Sequence, residues 1–147
     1  MLVLQTPTDV SREWDIILKI IKTSMPEWVD TSDVAWEWNL FTLTQLSNVQ
    51  VWKMVDNVGE NFKLYGYILT RIFVDDIFNE SFAVIYGLKL FAKPSAEMLQ
   101  KAMDHLEGWA VQKGLARIEA ITNSPVTSRL AQVFNFKESR HFAKRLL

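Results

Sequence analysis

The sequence predicts one α+β domain over residues 1–147, with a mostly antiparallel central sheet flanked by helices. Two features of the chain predict it. The stretch from Val49 to Phe91 carries strand-type apolar runs separated by Asp-, Asn- and Gly-containing turns. The stretch from Pro94 to Lys113 carries an apolar stripe at helical spacing, closed by Gly114. Length sets the domain count, because 147 residues fit one domain of ~100–150 residues, and there is no repeat and no linker. A chain of this size buries roughly 68–70% of its unfolded surface and needs no covalent staple. The absence of cysteine agrees with this and excludes disulfides, Cys-ligated zinc, iron–sulfur clusters and thiol nucleophiles.

The elements follow in order. Met1–Gln5 reads as a short strand. Thr8 or Asp9 offers an N-cap for a helix from about Val10, with Trp14, Ile17, Leu18 and Ile21 on one face and Pro26 as its stop. Thr31, Ser32 and Asp33 offer a cap for a second helix through Trp36, Leu40, Leu43 and Leu46. Val49, Val51 and Met54 begin a strand, Asp56–Asn61 is a turn, and Phe62–Thr70 is a strand rich in aromatic and aliphatic types. Asp75–Asn79 is the next turn, and the nearly continuous apolar run Ser81–Phe91 suits a strand covered on both faces. In the long helix Leu99, Ala102, Met103, Leu106, Trp109 and Ala110 share a stripe, with His105 facing away from it. Leu115–Thr122 reads as a strand, Asn123-Ser124-Pro125 opens a short helix, and Phe136–Leu147 reads as a terminal strand.

Charge excludes some functions and leaves others open. The net charge of −1 gives no electrostatic case for nucleic acid. No run of ~18 apolar residues predicts a membrane span, and the N-terminus lacks a basic signal-peptide region, so a cytoplasmic or virion compartment is expected. Residues 1–80 hold six basic and twelve acidic side chains, a net of −6; residues 81–147 hold ten and five, a net of +5. This asymmetry fits a dipolar molecule that self-associates, and equally chance clustering on a mixed surface. The segment Pro26–Trp38 joins Trp28, Trp36 and Trp38 to Glu27, Asp30, Asp33 and Glu37, and no Lys or Arg occurs between Thr23 and Trp52. It suits a protein interface or homo-oligomer contact anchored by tryptophan, a wall for a cationic amine, or a packed core with solvated acids beside it. The basic stretch Lys137–Arg145 is one candidate partner. Neither His105 nor His141 has a second ligand at metal spacing, so no metal site is expected.

Several segments together resemble the GNAT superfamily of acyl-CoA-dependent N-acyltransferases. Tyr65-Gly66-Tyr67-Ile68-Leu69 resembles its Gly-aromatic third strand, and Leu88-Lys89-Leu90-Phe91 the fourth strand feeding the long helix. Trp109-Ala110, Gly114-Leu115 and Ile118-Glu119-Ala120 resemble the helix end and fifth strand. Arg129-Leu130-Ala131 to Asn135-Phe136-Lys137 resembles the stretch that ends in Gly-Phe, with Asn135 in place of the Gly. The likeness covers nearly the whole chain. It implies an acyl group passed from acyl-CoA to an amine, with the CoA pyrophosphate at the start of the long helix.

The same resemblance shows what is altered. In place of the family's Gly-rich phosphate loop the chain has Phe91-Ala92-Lys93-Pro94-Ser95-Ala96-Glu97, without a Gly. Pro94 has no N–H to give, and Glu97 sets a carboxylate where a phosphate would lie. Lys93, Ser95 and Ala96 are the remaining candidates for cofactor contact. The position of the family's catalytic Tyr, four before Asn135, is Ala131, which cannot protonate a thiolate. Glu80 is the candidate base; Asp75 and Asp76 read as turn residues. The expectation is a GNAT-like domain without a CoA grip, resembling short GNAT-like proteins of tailed bacteriophages and acting through protein contacts. The alternative is an active N-acyltransferase using acetyl-CoA.

Overall fold

The computed structural model describes residues 1–24, 30–58, 61–122, 125–140, 142–144 and 146. Ten elements follow in chain order: β1 (Leu2–Leu4), α1 (Pro7–Arg12), α2 (Trp14–Ser24), α3 (Ala35–Gln45), β2 (Val49–Val58), β3 (Asn61–Asp75), β4 (Glu80–Leu90), α4 (Ala96–Gln112), β5 (Ile118–Ala120) and α5 (Pro125–Val133). The strands form one sheet in sequence order. β1 to β4 pair antiparallel, and β5 lies parallel to β4 because α4 returns the chain to the same end. The mixed α+β architecture predicted from the sequence is the one formed.

Each face of the sheet carries its own core. On one face Val49, Val51, Tyr67 and Leu69 pack with Val10, Ile17, Ile20 and Ile21 of α1 and α2. On the other, Trp52, Met54 and Ile68 pack with Met98, Ala102 and Leu106 of α4. Alternation over Val49–Met54 and Tyr67–Leu69 produces this division, and each fully buried aliphatic side chain contributes about 1.5–3 kcal/mol. The α4 stripe is Met98, Ala102, Leu106 and Ala110, at a spacing of four. Ser95 caps it through Oγ, which accepts from Met98 N at 3.1 Å.

Several boundaries differ from expectation, each for a local reason. The first helix starts at Pro7, capped by Thr6 instead of Thr8 or Asp9. Thr6 Oγ1 accepts from Asp9 N while the Asp9 carboxylate accepts from Thr6 N, a reciprocal box that suits Pro at the first helical position. The helix then breaks at Glu13, giving two helices where one was expected. Of the predicted Asp56–Asn61 turn, Asp56, Asn57, Val58 and Asn61 belong to the strands, since β2 and β3 pair as far as Val58 and Asn61; residues 59–60 lie outside the described residues. β3 runs five residues past Thr70, to Asp75. β5 keeps only three residues of the predicted Leu115–Thr122 strand. The predicted terminal strand over Phe136–Leu147 is absent among the described residues. Two of its apolar side chains stay in solvent: Phe142 is 87% and Leu146 80% exposed.

Three helices end in the same way. After α3, α4 and α5 a residue adopts positive φ, namely Ser47 (59°), Gly114 (70°) and Asn135 (63°). The following N–H then reaches five residues back, as Asn48 to Leu43, Leu115 to Ala110 and Phe136 to Ala131. Asn135 can stand for the Gly of the Gly-Phe pair because Asn tolerates this conformation.

Gly66 sets the approach of β3 to β4. A Cβ there would lie 2.1 Å from the Lys89 carbonyl oxygen. Gly66→Ala should therefore force the strands apart and cost about 3 kcal/mol, read as a lower urea midpoint with unchanged slope. Ala102→Pro should cost ~3 kcal/mol or more, because it removes a helix bond in the middle of the α4 stripe. An unchanged thermal midpoint for this variant would remove α4 from the core.

Candidate active site

The sheet opens where β4 leaves β5. The two strands pair at Ala83–Ile118, Val84–Glu119 and Ile85–Ala120. There β5 ends, while β4 continues to Leu90. Residues 86–90 thus present an outer edge without a strand partner among the described residues. Tyr86 marks the point of departure. Leu69 pairs with Gly87 and Thr70 with Ile85, so Tyr86 is an extra residue in β4, a bulge that bends the strand at the apex of the opening.

The far end of this edge is held by β3. The Tyr65 carbonyl accepts from Phe91 N at 2.7 Å and Ala92 N at 3.4 Å. The Tyr67 ring meets Phe91 edge-on at 5.9 Å. Tyr67 is itself fixed from below, donating through its hydroxyl to Glu13 Oε2 at 2.9 Å, while Lys53 Nζ donates to Glu13 Oε1. Burial, then the hydrogen bond to Glu13 and the charge of Glu13, push the Tyr67 phenol well above its ordinary value of 10.0. The break between α1 and α2 places Glu13 here, a role that its position on a helical wheel did not reveal.

The candidate cofactor residues lie together in the loop and first turn of α4. Lys93 is exposed, Ser95 is the cap and Ala96 opens the helix. With the Ser95 cap on Met98 N, Ala96 and Glu97 hold the first-turn N–H groups without protein partners among the described residues. The Glu97 carboxylate pairs with Lys101 Nζ at 2.7 Å, and this hydrogen bond holds it below the usual carboxylate range. A pyrophosphate therefore meets an ionised carboxylate, a proline and two free N–H groups, which is a poor fit. The open edge of residues 86–90 is a better fit to the amide-bearing arm of the same cofactor, since unpaired strand N–H and C=O groups accept an extended amide chain.

The remaining candidates are dispersed. Glu80 starts β4, ten residues from Leu90 and so ~30 Å away along the strand. It pairs with Arg117 Nη1 at 2.8 Å. Asp75 caps its turn, its Oδ1 accepting from Ile77 N and Phe78 N. Ala131 lies on α5. In the acidic segment Trp36 is half-buried, packs on the α1–α2 core and donates through Nε1 to Thr31 O at 3.2 Å. Trp38 is 72% exposed. Asp33 Oδ1 accepts from Ala35 N and Asp30 Oδ1 from Ser32 N, so both acids shape the turn into α3. Glu27 and Trp28 lie outside the described residues. A groove of about 970 Å³ runs along the outer side of β5, between α4, α5 and residues 134–140, bordered by Met103, Ala120, Ala131 and Phe136. No sequence motif announced it, because it results from β5 being an edge. Among the described residues no group of three or more His, Cys, Asp and Glu could hold a metal, and no helix is long and apolar enough to cross a membrane.

No family model matches this sequence, and no curated protein matches it. Solved structures do match in shape. A protein from Clostridium acetobutylicum described as a predicted acetyltransferase, determined with acetyl-CoA, superposes with a TM-score of 0.69 at 10% identity, covering 99% of this chain and 95% of its own. A ribosomal-protein-alanine N-acetyltransferase from Brucella melitensis gives 0.62 at 11%, covering 100% and 98%. An aminoglycoside acetyltransferase from an uncultured soil metagenomic sample gives 0.66 at 13%, covering 100% and 96%. At 10–13% identity the likeness is one of fold, and it is the fold that these acetyltransferases share.

The Tyr67 hydroxyl yields a pH prediction. Because its folded pKa is raised, the unfolded chain loses this proton first as pH rises through about 10. Stability is unaffected below that pH and falls above it. Tyr67→Phe should flatten this part of the decline relative to wild type. It should also cost ~1 kcal/mol near neutral pH for the lost hydrogen bond, as measured by urea unfolding from pH 7 to 11.

Proposed function

We propose that the chain is an N-acyltransferase that moves an acyl group from an acyl-CoA thioester to an amine. The observation that carries this is the open β4 edge of residues 86–90, which starts at the Tyr86 bulge and ends at the loop into α4, in a fold shared along its whole length with acetyltransferases. When bound, the acyl-CoA supplies the activated thioester. The chain's share is to align it. Edge N–H and C=O groups of 86–90 hold the amide-bearing arm as an added strand, and Ser95, Ala96 and Lys93 meet the phosphates. Their grip is weak for the reasons given by Pro94 and Glu97. Ala131 gives no proton to the departing thiolate, so protonation is left to water.

A thermal shift tests the donor. At tenfold excess over Kd, acetyl-CoA should stabilise the chain by ~1.4 kcal/mol and raise Tm by about 4 °C. We expect this to require millimolar acetyl-CoA, and Lys93→Ala to weaken it further. No shift at any concentration would leave the fold without its donor.

A second reading is favoured by Trp38, which stands 72% exposed beside Asp33 and Glu37 on a segment without basic residues. Here the domain is a non-catalytic accessory or virion protein of a bacteriophage, or a homo-oligomer, binding a basic partner through an aromatic anchor with steering acids. Sedimentation at low and high salt checks it. Association that weakens with salt and is lost in Trp38→Ala supports the contact, whereas a monomer under all conditions removes self-association.

A further inference from the structure

Arg71 is a cation without a counter-ion. It lies on β3 on the same face as Tyr67 and Leu69, opposite Val84. No carboxylate pairs with it among the described residues, and its Nε is buried without a hydrogen-bond partner. Its guanidinium lies over the Phe73 ring, with Cζ 4.6 Å from the centroid, and Phe73 stacks on Tyr86 at 6.1 Å. Tyr86, at the apex of the open edge, has a hydroxyl with no hydrogen bond among the described residues. Two unpartnered donors thus flank one aromatic ring, on diagonal positions of adjacent strands.

The acids in reach are otherwise engaged. Glu119 lies on the same row of the sheet but two strands away, ~9–10 Å by strand spacing, and accepts from Arg117 Nε at 3.1 Å. Asp75 lies four residues along β3 and caps the turn. The Nε edge is closed to any ligand, whereas Nη1 and Nη2 make no hydrogen bond among the described residues and form the edge that an anion can reach. Its planar fork matches a carboxylate in two-point contact.

We propose that Arg71 and Tyr86 form a carboxylate-binding site, and that the amine acceptor of the transfer bears a carboxylate. The second clause rests on the acyltransferase reading; the first does not. Arg71 takes the carboxylate through its fork, and Tyr86 adds a hydrogen bond from the bulge, so an acceptor held there lies beside the apex of the β4 edge.

The test uses benzoate, with benzamide as the neutral match, on the full chain without CoA. Benzoate should shift the Arg71 Nε–H resonance saturably in the wild type, while benzamide leaves it unmoved. Arg71→Lys keeps the charge and loses the fork, and should weaken benzoate binding about tenfold or more; Tyr86→Phe should weaken it less. Equal binding of benzoate and benzamide, wild-type affinity in Arg71→Lys, or no saturable shift would overturn the site. An acetyl-CoA titration run in parallel separates the two claims. Benzoate binding without acetyl-CoA binding keeps the carboxylate site and overturns its use for an acyl acceptor. Acetyl-CoA binding without benzoate binding keeps the transferase reading and overturns the carboxylate site.

Discussion

The contact between Gly66 and the Lys89 carbonyl governs the rest of the molecule. Only a residue without a Cβ lets β3 lie this close to β4. Beside it, Tyr65 is an extra residue of β3 in its pairing with β2, and its carbonyl accepts from Phe91 N and Ala92 N, which fixes the path of the chain into α4. From there α4 can lay Met98, Ala102 and Leu106 on the far face of the sheet and return the chain parallel to β4. The short β5 and the open edge at 86–90 both follow from that return.

The two faces serve different ends. The α4 face is a packed core with a buried polar chain, in which Trp52 Nε1 donates to Thr70 Oγ1 and Thr70 Oγ1 to Gln50 Oε1. Every member of that chain is satisfied, so it adds rigidity without an exposed function. The opposite face combines the Glu13, Lys53 and Tyr67 network under the loop with an unsatisfied Arg71 farther along β3. A satisfied network and an unsatisfied cation on one face are the contrast expected between support and binding.

The fold was largely legible in the sequence. Strand-type apolar runs between turns marked β2 to β4, the Pro94 to Gly114 frame marked α4, and the order of elements carried the GNAT resemblance. Local rules failed where tertiary partners decide. Glu13 lies off the apolar face of the first predicted helix, yet it sits at a helix break and joins Lys53 and Tyr67, 40 and 54 residues away. The stretch after Phe136 alternates loosely like a strand, yet its Phe142 and Leu146 stay exposed. The site was legible only in part. Pro94, Glu97 and Ala131 announced an altered cofactor end, because motif positions can be counted. Arg71 and Tyr86 carry no motif; each touches Phe73, and the place of Tyr86 depends on a one-residue bulge that no spacing in the sequence encodes.

The central claim is that the donor lies along the open β4 edge and is held chiefly by its amide-bearing arm. Backbone amide NMR with acetyl-pantetheine, which lacks the nucleotide and pyrophosphate, addresses it directly. The account predicts saturable shifts at residues 86–90, with an affinity within a few-fold of that for acetyl-CoA. Shifts confined to the α4 N-terminus, or an edge unmoved by either compound, would contradict it.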